Sequence, residues 1–154
     1  MKKIGFLLLL LPIWAGCNWA DDPYYGNKEF VHTGCAGSPF TRGINGSEGE
    51  SLLTIKYEDG GLRVTRTNAV MNCSIKNGGI TCSATVDGNV IHYWATETDG
   101  PSANCMCLVE EMSSVVTGLQ TGKEYTLDYR CEIQYPSVTF VFTKGMVQIV
   151  DLNN

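Results

Sequence analysis

From residue 125 to residue 133 apolar and polar side chains alternate: Tyr125, Leu127, Tyr129, Cys131 and Ile133 against Thr126, Asp128, Arg130 and Glu132. Successive side chains of a strand point to opposite faces. A period of two therefore describes a strand with one face on a core and the other in water. Similar signals recur at intervals of roughly ten residues, over 52–57, 62–67, 90–96, 138–143 and 146–150, with a weaker one near 30–32. Turn-forming groups separate them, notably Glu58-Asp59-Gly60-Gly61, Asp87-Gly88-Asn89 and Lys144-Gly145. No window holds the helical period for three turns. The chain has 154 residues, 44% of them hydrophobic, which is one domain's length and enough apolar surface to offset the entropy of ordering. The expected fold is all-β, a single antiparallel β-sandwich over residues 29–154.

Two hairpins are predicted. Asn77-Gly78 is a strong two-residue hairpin signal, because a type I′ turn needs positive φ at both positions. It would pair Ile75 with Ile80 and Cys73 with Cys82 within a hairpin over 69–86. A second, closing hairpin over 138–150 would turn at Lys144-Gly145 and share Phe140, Phe142, Val147 and Ile149 on one inner face. On the strand over 90–96, Ile91, Tyr93 and Ala95 are expected inward. His92 and Trp94 then point to solvent, unless a second sheet or the N-terminal segment covers Trp94.

Leu119, six residues before Tyr125 with Gly122 between them, resembles the tyrosine corner of fibronectin type III domains. There the phenol hydrogen-bonds the backbone of a Greek-key corner. The resemblance implies an immunoglobulin- or fibronectin III-like sandwich and no activity.

Seven cysteines in so short a chain point to an oxidising compartment. Cys17 stands apart, which leaves Cys35, Cys73, Cys82, Cys105, Cys107 and Cys131 for three disulfides. Cys105 and Cys107 share one face of an extended segment about 7 Å apart, so each is expected to take a different partner. Cys73–Cys82 is allowed by the predicted hairpin, and Cys73 to Cys105 or Cys107 is the rival. A zinc site from Cys73, His92, Cys105 and Cys107 is disfavoured. The spacing is C-x-C, there is no second paired motif, and the compartment oxidises thiols. No cofactor is expected.

Met1-Lys2-Lys3, an apolar run over 5–13 and Trp14-Ala15-Gly16-Cys17 resemble a bacterial lipoprotein signal, with Trp14 where Leu is usual. The resemblance implies a signal peptide over 1–16, cleavage before Cys17 and acylation of its thiol. The run is too short to cross a bilayer, which takes ~20 residues. The lipid on Cys17 would be the membrane contact, and residues 17–28 an acidic tether. Asn18 is not the Asp that marks inner-membrane retention in enteric bacteria, so the expected location is the outer membrane. Asp21-Asp22 resembles the surface-export signal of Bacteroidetes-type lipoproteins, and reads equally as a solvated tether.

A longer series has the same direction. Asn68-Ala69-Val70-Met71-Asn72-Cys73, Asp87-Gly88-Asn89-Val90-Ile91, Thr96-Glu97-Thr98, Asn104-Cys105-Met106-Cys107-Leu108-Val109-Glu110, then Gly118-Leu119, Gly122 and Tyr125 follow in order. Across residues 50–130 this is similar to a group of small secreted or lipid-anchored proteins of Bacteroidetes-type gut bacteria. Cys82 and Cys131 fall outside the shared pattern. The resemblance implies a β-sandwich in the cell envelope.

Function is constrained mainly by exclusion. A net charge of −5, more acidic still without Lys2 and Lys3, supplies no basic patch for nucleic acid. There are two histidines, no H-E-x-x-H, no G-x-S-x-G and no phosphate-binding glycine loop, so no enzyme motif is present. The acidic pairs Asp21-Asp22, Glu58-Asp59 and Glu110-Glu111 read as solvated surface. The expectation is a non-catalytic surface module for a glycan or protein ligand, with Trp94 as the candidate platform. The alternative is a structural or assembly component of the envelope.

Overall fold

The computed structural model describes residues 27–40, 49–75, 79–98, 104–131 and 133–153, and the side chains of 27–29 and 36–40 lie outside that description. The expected leader over 1–16, Cys17, Asp21-Asp22 and the Asn77-Gly78 turn also fall outside the described residues. Every described element is a strand. They are β1 (Asn27–His32), β2 (Cys35–Phe40), β3 (Leu52–Glu58), β4 (Gly61–Asn72), β5 (Ile80–Asp87), β6 (Val90–Glu97), β7 (Met106–Val116), β8 (Glu124–Cys131), β9 (Ile133–Gln134), β10 (Val138–Val141) and β11 (Val147–Asp151). The fold is an all-β sandwich.

The first sheet has the order β1-β7-β4-β3-β11, with β2 also on β7. β1 and β2 are successive pieces of one broken edge, since β1 pairs Met112 to Val116 and β2 pairs Met106 to Val109. The second sheet runs β10-β8-β6-β5, with β9 folded onto the end of β8. Their inner faces meet in one core. β3 contributes Leu53 and Ile55, β4 Leu62 and Val64, β6 Ile91, Tyr93 and Ala95, and β8 Tyr125, Leu127 and Tyr129. These are the inward positions that alternation assigns.

The turn between β3 and β4 forms as its residues dictate. Asp59 and Gly60 have φ of 47° and 84°, and Glu58 lies opposite Gly61. At the entry to β8 the Tyr125 hydroxyl accepts the backbone N–H of Gln120 at 3.0 Å, so a tyrosine corner is present.

Three expectations of pairing are corrected. Residues 69–86 do not form a hairpin: β4 ends in the first sheet and β5 begins in the second. Cys73 bonds Cys105, and the Gly79 N–H donates to the Ile75 carbonyl at 2.9 Å in the crossing segment. Parity alone does not separate the two arrangements. Met71, Ile80 and Ala84 are buried whether they sit side by side in one sheet or face each other across two. The closing hairpin over 138–150 is likewise a change of sheet, β10 pairing with β8 and β11 with β3. Phe140 and Phe142 are buried as expected, but Val147 and Ile149 are 60% and 62% exposed. Nor is the sandwich purely antiparallel. The β5–β6 hairpin puts β6 beside β8, and the chain crosses to β7 in the other sheet before returning, so β6 and β8 run parallel. Ile133 also leaves the expected inner face, because β8 ends at Cys131 and Ile133 stands on β9, 62% exposed.

Two disulfides tie β7 to its surroundings, Cys35–Cys107 and Cys73–Cys105. Cys105 and Cys107 thus take different partners. The expected third bridge is absent among the described residues: Cys82 and Cys131, each expected in a disulfide with no partner assigned beyond the possible Cys73–Cys82, are thiols. Both lie level with Ala95, one on each side of β6. Two strand spacings separate them by ~9.6 Å, beyond the Cα separation a disulfide spans.

Candidate functional site

The outer face of the second sheet gathers the most varied side chains. Alternation along β6 turns His92, Trp94 and Thr96 outward, opposite to Ile91, Tyr93 and Ala95. The parallel register then sets Asp128 beside His92 and Arg130 beside Trp94. β9 returns antiparallel and brings Gln134 opposite Arg130. On the other flank, β5 presents Thr81, Ser83 and Thr85, with Ser83 level with Trp94.

Hydrogen bonds hold this group in place. His92 Nδ1 lies 3.0 Å from Asp128 Oδ2. The Gln134 side-chain amide donates to Asp128 Oδ1. Arg130 Nε donates to Gln134 Oε1 at 3.0 Å. The His92 hydrogen bond holds the Asp128 carboxyl below its usual range, Gln134 adds to this, and partial burial opposes it. Trp94 is 37% exposed, and its ring centroid lies 6.5 Å from that of His92. A cleft of about 300 Å³ opens among His92, Trp94, Thr96, Asp128 and Arg130.

The arrangement brings three kinds of chemistry together. Trp94 offers an apolar ring face, Arg130 an exposed cation, and the Asp128–Gln134 pair an ordered polar edge. Among the described residues no hydroxyl or thiol hydrogen-bonds His92.

A second cleft, of about 390 Å³, lies at the β3–β4 turn. Its charges answer one another. Glu58 takes Arg63 at 2.5 Å and Lys56 at 2.9 Å, and Arg63 also donates to Ser113 Oγ at 3.2 Å. Arg63 first, then Lys56, pull the Glu58 carboxyl down to about 2. No aromatic side chain lines this cleft.

A third polar group lies between the sheets. Arg66 occupies an inward position of β4 and is 4% exposed. Its guanidinium stands 5.0 Å from the Tyr135 ring centre, and Nη2 donates to the Tyr135 hydroxyl at 3.4 Å. Arg66 Nε and Nη1 and the Tyr129 hydroxyl are buried without hydrogen-bond partners. Nearby, Tyr93 and Ser114 share a hydrogen bond of 2.7 Å, with Cys82 Sγ 3.8 Å from Ser114 Oγ. Burial pushes the Tyr93 and Tyr129 phenols well above their usual range, so both stay neutral.

Trp94 is therefore outward, as alternation implies, on the face of its sheet turned away from the other sheet. The cysteines imagined as zinc ligands do not assemble with His92, since Cys73, Cys105 and Cys107 are all in disulfides. Among the described residues no cluster of three or more His, Cys, Asp or Glu is placed to hold a metal. Asp128, Arg130 and Gln134 were not legible as partners of Trp94. The period of two marks Asp128 and Arg130 as outward, but only the parallel pairing of β6 and β8 sets them beside it. No family model, curated protein or solved structure matches the chain.

Proposed function

We propose that this protein is a non-catalytic binding module of a bacterial outer envelope, lipid-anchored through Cys17, and that its ligand is a saccharide held on the outer face of the second sheet. The observation that carries the reading is the setting of Trp94. An exposed indole lies between hydroxyl side chains on β5 and an ordered Asp128, Arg130 and Gln134 group on β8 and β9. A pyranose has an apolar face for an aromatic ring and equatorial hydroxyls for fixed polar neighbours, and this surface offers both. The hydrogen bonds that link His92, Asp128, Gln134 and Arg130 keep such groups preorganised, which lowers the entropy lost on binding. The signal-like residues up to Cys17, and the likeness over 50–130 to Bacteroidetes-type envelope proteins, support placing this face outside the cell.

The test is a glycan screen on the purified protein, repeated with Trp94→Ala. Binding should fall by at least ~30-fold on loss of a central tryptophan anchor. Retained affinity in Trp94→Ala, or no glycan bound at all, would remove this reading. Cys17→Ala should move the protein from the membrane to the soluble fraction; unchanged fractionation would remove the anchor.

A role in assembly has its own observation. β11 pairs with β3 on one side, is the edge of its sheet among the described residues, and exposes Val147 and Ile149. Such an edge is suited to strand addition by a protein partner. If this is the working surface, Ile149→Lys abolishes partner capture and leaves glycan binding intact.

A further inference from the structure

The Trp94 surface is unbalanced in hydrogen-bonding capacity, and the imbalance specifies a ligand class. The carboxylate among the described residues that line its cleft, Asp128, is already engaged: Oδ2 meets His92 and Oδ1 accepts from Gln134. Its negative charge is thus answered locally by hydrogen bonds rather than left bare toward an incoming anion. The donor side is different. Arg130 uses Nε on Gln134, and among the described residues its two terminal nitrogens have no hydrogen-bond partner. The Gln134 contact at the same time fixes the plane of the guanidinium. What remains is an exposed, oriented fork of N–H donors on the residue that pairs with Trp94 on the neighbouring strand.

We infer that the saccharide is acidic, a uronic-acid type whose ring lies on Trp94 and whose carboxylate is taken by the terminal nitrogens of Arg130. This rests on the saccharide reading above and adds the charge of the ligand. A planar guanidinium matches a carboxylate with two parallel hydrogen bonds, which no neutral exocyclic group reproduces. A uronate carries its carboxylate directly on the ring, so ring and charge are adjacent, as Trp94 and Arg130 are adjacent on neighbouring strands. The acidic character of the chain as a whole does not oppose this, because the charge that meets the ligand is local and screened over ~8–10 Å.

The experiment is calorimetry of the purified full chain with oligogalacturonate and oligoglucuronate, each also as its methyl ester. Esterification removes the charge and keeps the ring. The acid forms should bind at least ~10-fold more tightly at low ionic strength, with the advantage shrinking as salt rises. Arg130→Gln should bring acid and ester to equal affinity, Arg130→Lys should restore part of the preference, and Trp94→Ala should weaken both forms. Acid and ester bound equally by the unaltered protein, or neutral glycans bound through Trp94 while uronates are ignored, would overturn the acidic ligand and leave the saccharide reading standing. Preference for a sulfated oligosaccharide over every uronate would overturn the carboxylate assignment. No saccharide of any kind bound would overturn both readings together.

Discussion

Arg66 stands where alternation calls for an apolar side chain, next in line after Leu62 and Val64. A guanidinium taken out of water needs its N–H groups answered, and here Nε and Nη1 are not. The Tyr135 ring and hydroxyl offset only part of that cost. Arg66→Met keeps the volume and removes the charge, so it should raise stability by about 1–3 kcal/mol in urea titration. A lowered midpoint would show that a counter-charge is bound between the sheets. Glu58 is the opposite case, a surface carboxylate with two cationic partners. Its folded pKa of about 2 lies below the ordinary value of 4.5. The unfolded chain therefore binds the proton first. The stability from this carboxylate is fully present above pH 4.5 and is lost as pH falls toward 2. Glu58→Gln should flatten the acid limb of the stability profile over that window and leave its shape above pH 6 unchanged. An unaltered acid limb would remove the ion-pair account.

β7 is the element on which most else depends. It pairs with β4 along its length and with β1 and β2 on its other side. Through Cys107 and Cys105 it is bonded to Cys35, 72 residues back, and to Cys73, 32 residues back. Closing loops of those lengths restricts the unfolded chain by about 4 kcal/mol each in the entropy model. Loss of Cys35–Cys107 should free the β1–β2 edge, while loss of Cys73–Cys105 should loosen the crossing from β4 to β5. Non-reducing peptide mapping should find these two bridges, with Cys131, which is buried, alkylated only after unfolding and the half-buried Cys82 ahead of it. A Cys82–Cys131 peptide would mean that β6 does not lie between them. β9 acts on a smaller scale. Its two residues carry Gln134 back over Arg130 and Asp128, and the Tyr135 that follows caps Arg66.

Across the whole molecule the two sheets are joined by changes of sheet rather than by local hairpins. β3 and β11, next to each other in space, are far apart in the chain, with Leu52 opposite Asp151. Stability should therefore be greatest where strands are paired on both sides and least at the edges. Amide exchange should be slowest in β4, β7, β6 and β8, and fastest in β1 and β11. Protection of β11 equal to that of β4 would mean that its open edge is covered by a partner.

Period and turn chemistry determined a good deal without any structure. The inward set on β8 from Tyr125 to Cys131, the outward parity of Trp94 and the β3–β4 turn at Asp59-Gly60 all follow from local rules, because a side chain's face depends on its own neighbours in sequence; the corner at Tyr125 rests instead on a resemblance to fibronectin type III domains. Which strand lies beside which does not. Met71 and Ile80 satisfy the same burial rule in one sheet or across two, so the switch between β4 and β5 was not legible, and with it went the Cys73–Cys82 pairing. Val147 and Ile149 were read inward because they continue the pattern of Phe140 and Phe142. The turn at Gly145 resets parity as the chain changes sheet. The site shows the same division. Trp94, Asp128 and Arg130 are each outward by alternation, but only the parallel pairing of β6 and β8, with Gln134 folded back from β9, brings them together. Pairing across long stretches of chain is decided by how two apolar faces close over one core, and a period of two carries no information about that.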